Sequence, residues 1–104
     1  VAVAKRALQV QPTQCASKLR VLADPTRLAV LESLLGGPKN VGTLRRQLKV
    51  EQSLLSHHLQ TLRTAGLVES ERDGKSVLYR VTPDVVGPKG INLGCCQISF
   101  DGDR

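Results

Sequence analysis

Aromatic residues are nearly absent: Tyr79 and Phe100 are the only two in 104 residues, and tryptophan and methionine do not occur. Single-stranded nucleic-acid binders stack bases on several aromatic rings, so that mode of binding is disfavoured. Long apolar runs are missing too; none approaches the roughly 18–20 residues of a membrane span. The opening VAVAKRALQVQP lacks the apolar core of a signal peptide. Negative charge is scarce: 9 Asp and Glu face 15 Lys and Arg, for a formal charge of +6 and a pI near 9.7. That balance favours a polyanionic partner. No Ser/His/Asp set, paired carboxylates or phosphate loop stands out, so an enzyme is not expected. Cysteine is confined to Cys15, Cys95 and Cys96, an odd number with two adjacent, which is no secreted disulfide framework. Free thiols in a reducing cytoplasm are expected.

What is present is mostly helical period. A chain this short buries only about 60–70% of its unfolded surface, so one domain with a modest core, helped by a symmetric partner, is expected. Residues 13–23 read as a short helix with Leu19 and Leu22 on one side. Asp24 then caps a second helix, with Pro25 at its first position and Leu28, Leu31 and Leu35 on one face. Gly36-Gly37-Pro38 ends it. A third helix over 41–48 turns Val41, Leu44 and Leu48 inward and Arg45, Arg46 and Lys49 outward. SLLSHHLQTLRTAG forms a fourth, with Leu55, Leu59 and Leu62 as core stripe and Gly66 as stop.

The period then changes from 3.6 to 2. LVESER and KSVLYRV read as strands joined at Asp73-Gly74, a two-residue hairpin signal. Val77, Tyr79 and Val81 share one face, and Pro83 closes the second strand. Gly87, Pro88, Gly90 and Gly94 disfavour a helix beyond it, so the tail is expected to be extended and strand-like over 91–100.

The predicted fold is mainly α with a β-hairpin, a winged helix-turn-helix over 13–83 between an N-terminal arm (1–12) and a C-terminal tail (84–104). Gln52, Ser53, Ser56, His57 and Gln60 occupy the outer face of the fourth helix, with short hydrogen-bonding groups suited to base edges in a major groove. Arg45, Arg46, Lys49 and Arg63 suit phosphates, and Arg72 and Lys75 at the hairpin tip suit the adjoining backbone or minor groove. His58 lies nearer the leucine stripe and is expected to be a packed, hydrogen-bonded residue. Neither histidine has a second ligand at zinc spacing.

LADPTRLAVLESLL and VEQSLLSHHLQTLRTAGLVESERDGKSVLYRV together resemble the ArsR/SmtB family of metalloregulatory winged-helix repressors, over about residues 17–82. The resemblance implies a homodimer on a near-palindromic operator in double-stranded DNA, released by an inducer. Many arsenic-responsive members carry cysteines at the start of the helix before the recognition helix, where this chain has Val41-Gly42-Thr43. Zinc- and nickel-type members use Asp, His and Glu on a C-terminal helix, and this tail has no histidine. GINLGCCQISF instead resembles the vicinal-cysteine tails of atypical arsenite-responsive members. Cys95 and Cys96 are thus the candidate ligands of As(III) or Sb(III), soft centres that take three thiolates. Cys15 is either the third sulfur or a small packed hydrophobe. Sensing of redox state or persulfide, or of Cd(II) or Pb(II), is the alternative.

Overall fold

Asp24 shows how local chemistry starts the fold. Its Oδ1 accepts from the Arg27 amide at 3.0 Å, and Pro25 occupies the first helical position. That hydrogen bond is the main reason the carboxyl sits below its ordinary pKa; partial desolvation opposes the shift, and attraction from the Arg27 guanidinium reinforces it. The computed structural model describes residues 12–100, so the arm expected over 1–12 lies outside the described residues but for Pro12. Four helices follow in order: α1 (Pro12–Leu22), α2 (Pro25–Leu35), α3 (Val41–Leu48) and α4 (Gln52–Thr64). Strand β1 (Lys39–Asn40) precedes α3, and β2 (Val68–Asp73) and β3 (Ser76–Val81) follow α4. A 3-10 turn (Pro83–Val85) leads to β4 (Gly90–Asn92) and β5 (Gln97–Ser99).

The core is leucine-rich, as the helical period requires. Leu31, Leu44, Leu55, Leu59, Leu62 and Leu67 are fully buried with Val30 and Val68, and Ile91 and Leu93 add the tail to the same cluster. Each such side chain contributes about 1.5–3 kcal/mol by leaving water. On α1, Leu22 is buried but Leu19, one turn earlier on the same side, is 41% exposed. The described residues leave Leu19 largely uncovered.

Helix α3 is capped by Asn40, whose Oδ1 accepts from the Thr43 amide at 2.8 Å. It ends at Lys49, the only non-glycine residue with positive φ (55°) among those described. The left-handed Lys49 turns the chain sharply into α4. That helix ends at Ala65-Gly66, with Gly66 at φ 79° and the Leu67 amide returning to the Leu62 carbonyl.

Strands β2 and β3 pair antiparallel from Val68↔Val81 to Asp73↔Ser76. Asp73 therefore belongs to the ladder, and the two-residue turn is Gly74-Lys75, one place later than the sequence suggests. Gly74 has φ 63° at the first central position, as a type II′ hairpin turn prefers. The short β1 adds a third strand, in the order β1-β3-β2. The tail is extended, as expected, but folds back: β4 and β5 pair from Gly90↔Ser99 to Asn92↔Gln97. No helix among the described residues is long and apolar enough to cross a membrane.

Candidate nucleic-acid interface and thiol site

Burial divides α4 cleanly. Leu55, His58, Leu59 and Leu62 face inward, whereas Gln52, Ser53, Ser56, His57 and Gln60 are exposed. Arg45, Arg46 and Lys49 on α3 and its end, Arg63 on α4, and Arg72 and Lys75 at the wing tip are exposed as well. Part of this surface is organised by hydrogen bonds. Arg45 Nη1 donates to Gln52 Oε1 at 3.0 Å, tying α3 to the first residue of α4. Ser53 Oγ donates to the Glu51 carboxylate, and Arg46 Nη2 donates to Thr43 Oγ1 at 3.4 Å. On the wing, Arg80 pairs with Glu69 at 2.8 Å and Glu71 at 3.4 Å, and the bond to Glu69 holds its guanidinium more firmly protonated than usual. One guanidinium offsets one of the two carboxylates, so the trio keeps a net charge of −1.

His58 is only 7% exposed, as its place beside the leucine stripe suggested. Its Nδ1 lies 3.2 Å from Arg27 Nη1. Arginine has donors only, so Nδ1 accepts and the neutral ring carries its proton on Nε2. Arg27 Nε also donates to the Val21 carbonyl at 2.5 Å. The guanidinium thus joins the last turn of α1 to the inner face of α4. The sequence offered no signal for this pairing beyond the presence of an arginine and a histidine.

The thiols converge. Cys15 lies in the first half of α1, and Cys95 and Cys96 sit in the loop between β4 and β5. Gly94, at φ 88°, turns that loop; its amide donates to Asn92 Oδ1 at 2.8 Å, and the Leu93 amide donates to the Cys96 carbonyl at 2.9 Å. All three cysteines are half-buried, with their sulfurs within 4.8 Å of one another. The expectation of three free thiols is corrected here: Cys15 and Cys95 are joined as a disulfide, and Cys96 alone is free. Their Cα atoms stand 6.1 Å apart, inside the ordinary range for a bridge, which adjacent Cys95 and Cys96 cannot reach. Reduction of the bond yields three thiols. A three-coordinate pyramidal centre with metal–sulfur bonds of about 2.3 Å holds its sulfurs roughly 3.5 Å apart, so after reduction the bonded pair separates and the third sulfur draws in to close on one centre.

The tail hairpin that carries two of these thiols depends on Gly90. A Cβ at this position would land on the Ile98 carbonyl oxygen. Gly90→Ala is therefore expected to unpair β4 from β5 and disperse the cluster while leaving α2–α4 intact. Titrating the reduced variant with arsenite should show loss of the three-thiol stoichiometry, with helical circular dichroism retained.

A helix-turn-helix followed by a β2–β3 hairpin defines a winged helix-turn-helix protein. Residues 24–70 match the family described as "Bacterial regulatory protein, arsR family". The HTH-type transcriptional regulator NmtR of Mycobacterium tuberculosis is 46% identical over 66 residues, 64% of this chain and 55% of that protein. The chain therefore spans little more than half of NmtR. The HTH-type transcriptional regulator YgaV of Escherichia coli is 35% identical over 76% of this chain and 81% of its own length. A possible ArsR-family regulator from Mycobacterium bovis, solved in solution as a homodimeric winged helix-turn-helix DNA-binding domain, superposes with a TM-score of 0.65. It is 30% identical, and the match covers 69% of this chain and 67% of that one. The chain belongs to the arsR family of bacterial regulatory proteins, which are transcriptional regulators rather than enzymes.

Proposed function

We propose that the chain is an arsenite- and antimonite-responsive repressor that binds duplex operator DNA as a homodimer and leaves it when the metalloid joins Cys95, Cys96 and Cys15. The observation that carries this reading is the meeting of the three sulfurs within 4.8 Å, two from the tail hairpin and one from α1. Two α4 helices of a dimer enter successive major grooves about 34–36 Å apart, while Arg45, Arg46, Lys49, Arg63, Arg72 and Lys75 hold phosphates. Leu19, left 41% exposed by the described residues, suits a dimer contact through α1.

The route from thiols to DNA is short. Metalloid binding fixes the tail against α1; the end of α1 holds Arg27 through the Val21 carbonyl, and Arg27 holds His58 of α4. A small shift of α1 therefore changes the seat of the recognition helix. The ligand displaces the protein from DNA only if it favours the shifted arrangement over the DNA-bound one.

A second reading is supported by the Cys15–Cys95 bond itself. Oxidation of these two thiols, by peroxide or polysulfide with loss of two protons and two electrons, ties the same tail to the same helix and makes a redox-sensing repressor. Sensing of Cd(II) or Pb(II) uses the same sulfurs. Arsenic X-ray absorption on reduced, loaded protein tests the main reading. Three sulfur neighbours are expected; two sulfurs leave one of the three cysteines out of the site, and an oxygen shell rejects the site altogether.

A further inference from the structure

Leu54 has no part in the core, yet it is a large apolar side chain left 48% exposed in the first turn of α4. The other exposed large hydrophobics among the described residues, Leu19 and Val86, lie on α1 and the tail, away from this helix. A lone exposed leucine is ordinary on a protein surface. What sets Leu54 apart is its company. Gln52 and Ser53 precede it, exposed His57 stands one turn along the same side, and exposed Arg45, Arg46 and Lys49 come from α3 and the turn. An apolar group beside hydrogen-bonding side chains, with Arg45 tied to neighbouring Gln52, suits a polyanion that itself displays an apolar group.

Duplex DNA does so at one place in the major groove, the C5 methyl of thymine. The N-terminal residues of a recognition helix approach base edges most closely. Gln52 and Ser53 are engaged by Arg45 and Glu51, which fixes the polar groups beside Leu54 before DNA arrives. We infer that Leu54 reads a thymine methyl in each half-site and is a specificity-determining residue. This rests on α4 being the recognition helix.

The test uses full-length reduced protein and a duplex selected by it from a random pool. Each thymine is replaced in turn by uracil, which removes only the methyl, and affinity is read by fluorescence anisotropy. At one thymine per half-site the wild type should lose roughly fourfold, the scale of burying one methyl. Leu54→Ala should bind thymine and uracil there equally. Because Leu54 is exposed, that variant keeps its fold, which circular dichroism verifies. A flat uracil scan for the wild type, or a methyl effect that survives Leu54→Ala, overturns the assignment. If that scan is flat while Leu54→Ala alters self-association in sedimentation, Leu54 is a protein contact and the assignment is likewise overturned. Ser56→Ala and His57→Ala separate the two levels. If both retain full affinity, α4 is not the reading helix and the premise falls; if both lose affinity while the scan is flat, only the role of Leu54 falls.

Discussion

Cys95→Ser and Cys96→Ser each leave operator binding intact and raise the arsenite concentration needed for release by about two orders of magnitude. That is the scale on which a multidentate grip loses one arm. Both cysteines are half-buried in the β4–β5 loop at the edge of the core cluster, and neither belongs to α4 or the wing, so serine at either position leaves the recognition face in place. The soft centre loses one of its sulfur donors, and a serine hydroxyl is a poor replacement. A gel-shift titration with arsenite reads the result, and normal release by both variants would sink the vicinal-pair site. Oxidant separates the two readings. Cys15→Ser and Cys95→Ser abolish the disulfide and any release by peroxide, whereas Cys96→Ser keeps that bond and loses only the metalloid response. Cys15→Ser with full arsenite response places Cys15 in the disulfide alone.

The helices and wing were legible because their signals are local. Asp24-Pro25, Gly66 and the leucine stripe of α4 act within a few residues of themselves, and leucine at the period of one face admits one inward orientation. β1 was not legible: Lys39-Asn40 has no strand propensity and becomes a strand only by pairing with Leu78 and Tyr79. The hairpin turn was misplaced by one residue because Asp73-Gly74 and Gly74-Lys75 both satisfy turn chemistry, and only the ladder decides between them. The vicinal thiols announced themselves by adjacency, but their partner lies 80 residues away, beyond any spacing rule. The same holds for Arg27 and His58, 31 residues apart, whose contact exists only after α2 and α4 pack.

The two adjacent histidines should separate binding from stability. His57 is exposed, so His57→Ala changes folding stability by no more than about 0.5 kcal/mol. If its ring contacts a base, operator affinity falls by roughly tenfold, within the 1–3 kcal/mol of a base-edge contact. His58→Ala does the reverse. It leaves Arg27 Nη1 without its acceptor in a part-buried site and opens space beside Leu55 and Leu62, at a cost of about 1–3 kcal/mol. For a chain of this size each kcal/mol lowers the melting temperature by about 4–8 °C. His58→Asn offers Oδ1 near the position of Nδ1 and should recover part of that loss, which simple cavity formation would not. Anisotropy at temperatures well below both melting transitions checks affinity at matched folded fraction. Weaker binding by His58→Ala than by His57→Ala under those conditions refutes the division of the helix into a reading face and a packed face. Normal affinity in His58→Ala combined with loss of arsenite-driven release would instead place His58 in the relay from α1, since its acceptor role is then needed for the response and not for the contact with DNA.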